Sequence, residues 1–136
     1  MLRERLTHFG GLIPAAAKHI PAAQDIIYRP LETLLVSAPW HRSRVVLMGD
    51  AAHAMTPHMA QGASMAMEDA VVLVDCLSDS ADVSDALARY AERRFDRCRR
   101  VLQASVQLGE WQLRPEPGSD PMALLREMAD ELMKPA

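Results

Sequence analysis

The 136-residue sequence predicts an α/β fold, with two or three short strands followed by long helices. The pattern is that of the C-terminal part of a Rossmann-like domain. Three observations carry this reading. An apolar run, Arg44 to Met48, ends in Gly49-Asp50, as a strand buried on both faces of a parallel sheet does. A second glycine, Gly62, opens a stretch of small and apolar residues with helical character. From Val83 to about Leu113, Leu87, Tyr90, Ala91, Phe95, Cys98, Leu102 and Val106 fall on one helical stripe. The six glycines stand at 10, 11, 49, 62, 109 and 118, and none are spaced as G-x-G-x-x-G. The N-terminal βαβ unit that would cradle a pyrophosphate is therefore expected to be absent.

Along the chain, Leu2, Leu6 and Phe9 predict a helix over Leu2 to Phe9, stopped by Gly10-Gly11. Leu12 to Ile20 is a second short helix, closed by Pro21. Asp25 to Arg29 and Leu31 to Ser37 read as extended runs, with Pro30 breaking the ladder between them. Residues 38–43 read as a loop, Arg44 to Met48 as a strand, and the segment from Gly49 to about Gln61 as loop again. A helix then runs to about Leu77. Asp79 to Asp82 is a polar break with Ser80 or Asp82 as the cap, and the long helix from Val83 follows. Pro115 to Gly118 is a linker. The last helix has Asp120 at its N-cap and Pro121 in its first turn, and carries Met122, Leu125, Met128, Ala129 and Leu132. No internal repeat or low-complexity segment is visible.

Composition narrows the function classes. A net charge of −3 disfavours nucleic acid and membrane surfaces as partners. No apolar run approaches the roughly 20 residues that span a bilayer. The N-terminal residues carry both charge signs and no apolar core, so they do not read as a signal peptide. Cys76 and Cys98 form no C-x-x-C and read as reduced thiols of a cytoplasmic protein.

Chemistry concentrates between Gly49 and Asp69. A Gly-Asp turn after a strand sets a carboxylate at the sheet edge where ligands bind in open α/β folds. Asp50 can there accept hydrogen bonds from a ribose or polyol hydroxyl. Ala51 and Ala52 leave room for a planar ligand, and Pro57 stiffens the following loop. Gln61, Gly62 and Ala63 begin a helix whose free N–H groups and dipole favour an anionic group. His53 and His58 lack a third ligand at metal spacing, so no metal is expected; His53 reads as loop packing and His58 as lying at the substrate side. Met55, Met59, Met65 and Met67 read as core filling or pocket lining. In Glu68-Asp69, adjacent helical residues point apart; one is expected to be exposed and the other to bond a neighbouring loop. The arginines at 89, 93, 94, 97, 99 and 100 alternate with Glu92 and Asp96, as a solvated, ion-paired helix face does.

Arg44 to Leu77 resembles the second FAD-binding motif of class A flavoprotein monooxygenases, the aromatic hydroxylases related to para-hydroxybenzoate and salicylate hydroxylases. The matching elements are Gly49-Asp50-Ala51-Ala52-His53, Pro57, Gln61-Gly62 and Glu68-Asp69-Ala70, in order and at the family's spacing. The segments Tyr28-Arg29-Pro30-Leu31-Glu32 and Pro39-Trp40-His41-Arg42 also look like the family's preceding stretch. Met59-Ala60 departs from the pattern, standing where some members have glycines.

The resemblance implies FAD as cofactor, with Asp50 on the ribityl chain. The turn Gly49-Asp50-Ala51 and the Pro57 loop would border the flavin, and Gln61, Gly62 and Ala63 would face its pyrimidine end. It implies no catalytic protein nucleophile. The complete enzyme would hydroxylate an aromatic or related small molecule with O2 and NAD(P)H. By this resemblance the chain would be its C-terminal segment, with residues 1–43 the edge of a substrate domain and connecting strands and residues 44–136 the C-terminal part of the FAD-binding domain, completed by a separate N-terminal chain or assembled as a homo-oligomer. The alternative is a non-catalytic remnant, an oligomeric helical domain that binds no flavin and exposes apolar surface at the 44–48 strand edge.

Overall fold

Helices dominate the computed structural model, which describes residues 2–21, 26–27 and 29–136. The chain divides into two units, Met1–Pro30 and Leu31–Ala136. In the first, α1 (Leu2–Leu6) and α2 (Ile13–Ala17) are single-turn helices. Both are shorter than the apolar spacing predicts. After Leu6 the backbone closes in tight turns, with Thr7 N–H bonded to the Glu4 carbonyl at 3.1 Å. Gly11 then takes a positive φ of 66°, which favours glycine. The predicted extended run Asp25 to Arg29 lies partly outside the described residues; Ile26, Ile27 and Arg29 join no strand.

The second unit begins with residues 31–37, extended but in no regular strand. Their backbone is nevertheless bonded, through Leu34 N–H to the Ala54 carbonyl at 2.8 Å and Val36 N–H to Ala52 at 2.9 Å. β1 (His41–Arg42) and β2 (Val45–Val46) then form an antiparallel hairpin, with Ser43 at a φ of 55° in its turn. This corrects two expectations. Residues 38–43 are not all loop, and Arg44 to Met48 is not a parallel strand buried on both faces. Val45 is 69% exposed. A parallel strand needs neighbours supplied by other βαβ units, and among the described residues none flank it, so the run folds back on its own upstream residues.

The presumed loop after Gly49 contains α3 (Asp50–His53) and a 3-10 turn (Pro57–Met59). α4 (Gly62–Ser78), α5 (Val83–Leu113) and α6 (Pro121–Leu132) follow close to their predicted bounds. Asp82, not Ser80, caps α5; its carboxylate accepts from Ser84 N–H at 2.8 Å and Asp85 N–H at 3.1 Å. The Asp120 carboxylate caps α6 through Ala123 N–H at 2.9 Å.

The core lies where α4 crosses α5. Met65, Val72 and Cys76 meet Ala86, Tyr90, Ala91, Cys98 and Val101, with Trp40 completing the cluster. Both cysteines are buried and unpaired. Leu87 and Leu102 are buried as the stripe predicts, while Phe95 and Val106 are half-buried. Met128 anchors α6 against α5 beside Ala104 and Leu108. α4 is apolar on its other side too, and there Met67, Val71, Val74 and Leu77 are exposed. No helix among the described residues is long and apolar enough to cross a membrane.

Candidate functional site

Gly49 is the pivot of the site. It is buried, precedes α3, and holds φ 56° and ψ −140°, a backbone conformation that side chains disfavour. A Cβ added there would stand 3.2 Å from the Cβ of Ala66 on α4. The turn thus touches α4 one turn past its start. Asp50 and Ala51 follow as exposed residues of α3, and the Asp50 carboxylate has no partner among the described residues.

The Pro57 loop is pinned from the other side. Ser105 of α5, fully buried, donates to the Thr56 carbonyl at 2.6 Å and accepts from Met59 N–H at 3.2 Å. At Gly109 the missing side chain admits His58, whose Cε1 would lie 2.5 Å from an added Cβ. His58 therefore sits against the long helix. Pro57 is exposed on the surface of this loop. Gln61 and Gly62 are half-buried and Ala63 exposed where α4 begins, and no side chain caps that end. The methionines divide as core and lining: Met59 and Met65 are buried, Met55 half-buried and Met67 exposed.

Behind the turn lies a buried ionic network that sequence reading only partly found. The Asp69 carboxylate, wholly buried, accepts from Gly49 N–H at 2.8 Å, His53 Nε2 at 2.7 Å and Arg94 Nε at 2.7 Å. Arg94 also donates to Glu68 and to the Met65 carbonyl. Arg97 pairs with Glu68 at 2.7 Å. Asp69 is thus the loop-bonding member of the Glu68-Asp69 pair, whereas Glu68 is a half-buried ion-pair partner instead of a free surface group. The arginine face is ion-paired as expected but not uniformly solvated: Arg94 is 0% exposed. One arginine within a run of six gives no sequence sign that it is the inward one.

The network sets the protonation states. Burial opposes charge on His53, but its hydrogen bond to Asp69 and the nearby Cys98 sulfur outweigh this and push its pKa up from 6.5 to about 10. Burial likewise opposes the Asp69 carboxylate, yet His53, Gly49 N–H and Arg94 hold it below the usual carboxylate range. His53, Asp69 and Cys98 offer ligand atoms within 4.8 Å of one another, a third-ligand geometry that residue spacing did not reveal. Arg94 already occupies Asp69 and lies 3.6 Å from the Cys98 sulfur, so the cluster reads as a charge-neutralised core and not a cation site.

A pH dependence follows from these shifts. Protonated His53 contributes its full stabilisation below 6.5, and loses it as pH rises from there through about 10. Asp69 contributes above its ordinary value of 3.8, and its share fades as pH falls below that. The thermal midpoint is therefore expected to be flat between these limits and to decline above 6.5 more steeply than in His53→Gln. Parallel midpoint-versus-pH curves for the two proteins would remove His53 from the titration.

The family described as "FAD binding domain" matches residues 33–105, more than half of the chain. Among curated relatives, the 2-heptyl-3-hydroxy-4(1H)-quinolone synthase of Pseudomonas aeruginosa is 41% identical over 106 residues, covering 76% of this chain and 28% of that protein. The aurachin C monooxygenase/isomerase of Stigmatella aurantiaca is 38% identical over 114 residues, covering 82% and 30%. The crystal structure of Klebsiella pneumoniae HpxO complexed with FAD and uric acid superposes with a TM-score of 0.62 at 25% identity, over 97% of this chain and 38% of that one. The chain spans about a third of the length of the curated relatives it matches.

Proposed function

Because this chain belongs to the FAD binding domain family, we propose that it supplies the ribityl- and pyrimidine-facing half of the flavin site of a monooxygenase. The observation that carries this reading is the Gly49–Asp50 turn. It couples a glycine at positive φ, tight against Ala66, to an exposed carboxylate without a partner among the described residues. Such a turn fits a polyol: the backbone allows close approach and the carboxylate is free to accept from hydroxyls. The uncapped start of α4 leaves the Gly62 and Ala63 amides available to an electron-rich ring edge. Ala51, Pro57 and Gln61 complete the proposed border.

The bound flavin supplies electron transfer from NAD(P)H and activation of O2 for hydroxylation of an aromatic or related substrate. The residues of this chain act by holding the cofactor and by keeping the Pro57 loop rigid through Ser105; none serves as a nucleophile. The pyrophosphate-cradling unit comes from a segment outside these residues that packs against them. The uncovered apolar side of α4 supports such a complementing surface. The same surface, with exposed Val45 at the hairpin, also favours the second reading: a self-associating helical domain without flavin. The proposed setting is the cytoplasm, in keeping with two buried free thiols.

Titration of the purified chain with FAD, followed by flavin fluorescence, tests the assignment. Asp50→Ala is expected to weaken binding by about 1–3 kcal/mol, the loss of a charged hydrogen-bond acceptor. Equal affinity in the variant would take Asp50 out of the site.

A further inference from the structure

We infer that Asp69 is the positioning residue of the flavin-binding turn, a role that rests on the flavin reading above. One oxygen of its carboxylate, Oδ2, bonds both ends of α3: the N–H of Gly49, which precedes the helix, and Nε2 of His53, which ends it. The other oxygen, Oδ1, is held by Arg94 Nε from α5. Asp50 and Ala51 lie between the two clamped points. A helix of four residues has no stability of its own, and glycine has the freest backbone of any residue, so Gly49 does not fix the turn by itself. The direction of the Asp50 carboxylate is thus set by a wholly buried side chain nineteen positions away. Asp69, His53 and Arg94 are each at most 1% exposed. This excludes water from the clamp and leaves Gly49 N–H no alternative acceptor of equal strength.

The arrangement works as outer-shell partners do around a bound group: it fixes the orientation of the group that makes contact. Glu68 and Arg97 extend the network towards α6, where Arg97 donates to the Glu131 and Leu132 carbonyls at 3.0 and 2.9 Å. That branch does not contact the turn. It provides an internal control for stability alone.

The test combines FAD titration with the amide proton NMR signal of Gly49 in the full chain, each read well below the thermal midpoint. In the wild type the Gly49 amide is expected to be shifted downfield and protected from exchange by its carboxylate acceptor. Asp69→Asn is expected to lose that shift and to raise the FAD dissociation constant by about tenfold or more, the scale of outer-shell losses. Asp50→Ala is expected to weaken FAD binding while keeping the Gly49 signal. Arg97→Gln is expected to lower the thermal midpoint with both readouts unchanged, which a merely structural role for Asp69 would not distinguish from Asp69→Asn. Should Asp69→Asn fail to fold, Asp69→Asn/Arg94→Gln removes both charges together and gives the same comparison. An unchanged Gly49 signal and unchanged FAD affinity in a folded Asp69 variant overturn the inference. Absence of FAD binding in the wild type overturns the flavin reading instead, and the Gly49 signal then still decides whether Asp69 clamps the turn.

Discussion

Replacing Arg94 with methionine is expected to destabilise the second unit by about 3–5 kcal/mol, the cost of leaving a buried charge without its partner. Arg94 is enclosed completely, and its guanidinium joins Asp69, Glu68, the Met65 carbonyl and the Cys98 sulfur. Methionine fills much of the volume, so the loss is electrostatic and not a cavity effect. Asp69 would then face only protonated His53 and the Gly49 amide. Equilibrium unfolding in urea reads the change as a lower midpoint at constant slope. Adding Asp69→Asn to the methionine variant is expected to recover part of the loss, since the two sites share one interaction. A single variant within about 1 kcal/mol of wild type would show that the ion pair contributes no net stability.

Trp40→Ala is expected to cost a comparable amount, about 3–5 kcal/mol, through the cavity left by a fully enclosed ring. Trp40 has ring contacts with His53 at 5.6 Å, Phe95 at 5.8 Å and Tyr90 at 6.2 Å. Its indole N–H donates to the Val36 carbonyl at 2.8 Å. One side chain therefore ties the extended residues 31–37 and the hairpin to α5. Trp40→Phe keeps most of the apolar area and loses the hydrogen bond, so its expected loss is smaller. Equal losses for the two substitutions would mean that the hydrogen bond, and not the packed volume, dominates.

The long helices and their caps were legible because their signals are local. Asp82, Asp120 and Pro121 act within one turn of their own positions, and the stripe through Tyr90 and Cys98 repeats over twenty residues. The strand at 44–48 was misread for a physical reason. Apolar continuity records a demand for burial, not its source, and here Val45 and Val46 pair with His41 and Arg42 instead of parallel neighbours. Trp40 looked like part of a loop because nothing periodic surrounds it, yet it is central to the core. For the candidate site, Gly49-Asp50 and Gly62 stood out through turn chemistry and family spacing. What escaped was the set of contacts behind them. His53, Asp69 and Arg94 are separated by sixteen and twenty-five positions, and only the crossing of α4 over α5 brings them together.

That residues 49–63 form half of a flavin site is tested most directly by mapping amide signals of the isotope-labelled chain during an FAD titration. The expected result is saturable shifts concentrated at Gly49, Asp50, Ala51, Pro57-adjacent amides, Gly62 and Ala63, all moving together to higher FAD concentration in Asp50→Ala. Shifts centred elsewhere, such as the α5–α6 groove beside Gln103 and Met128, or no saturable shift at all, would contradict it.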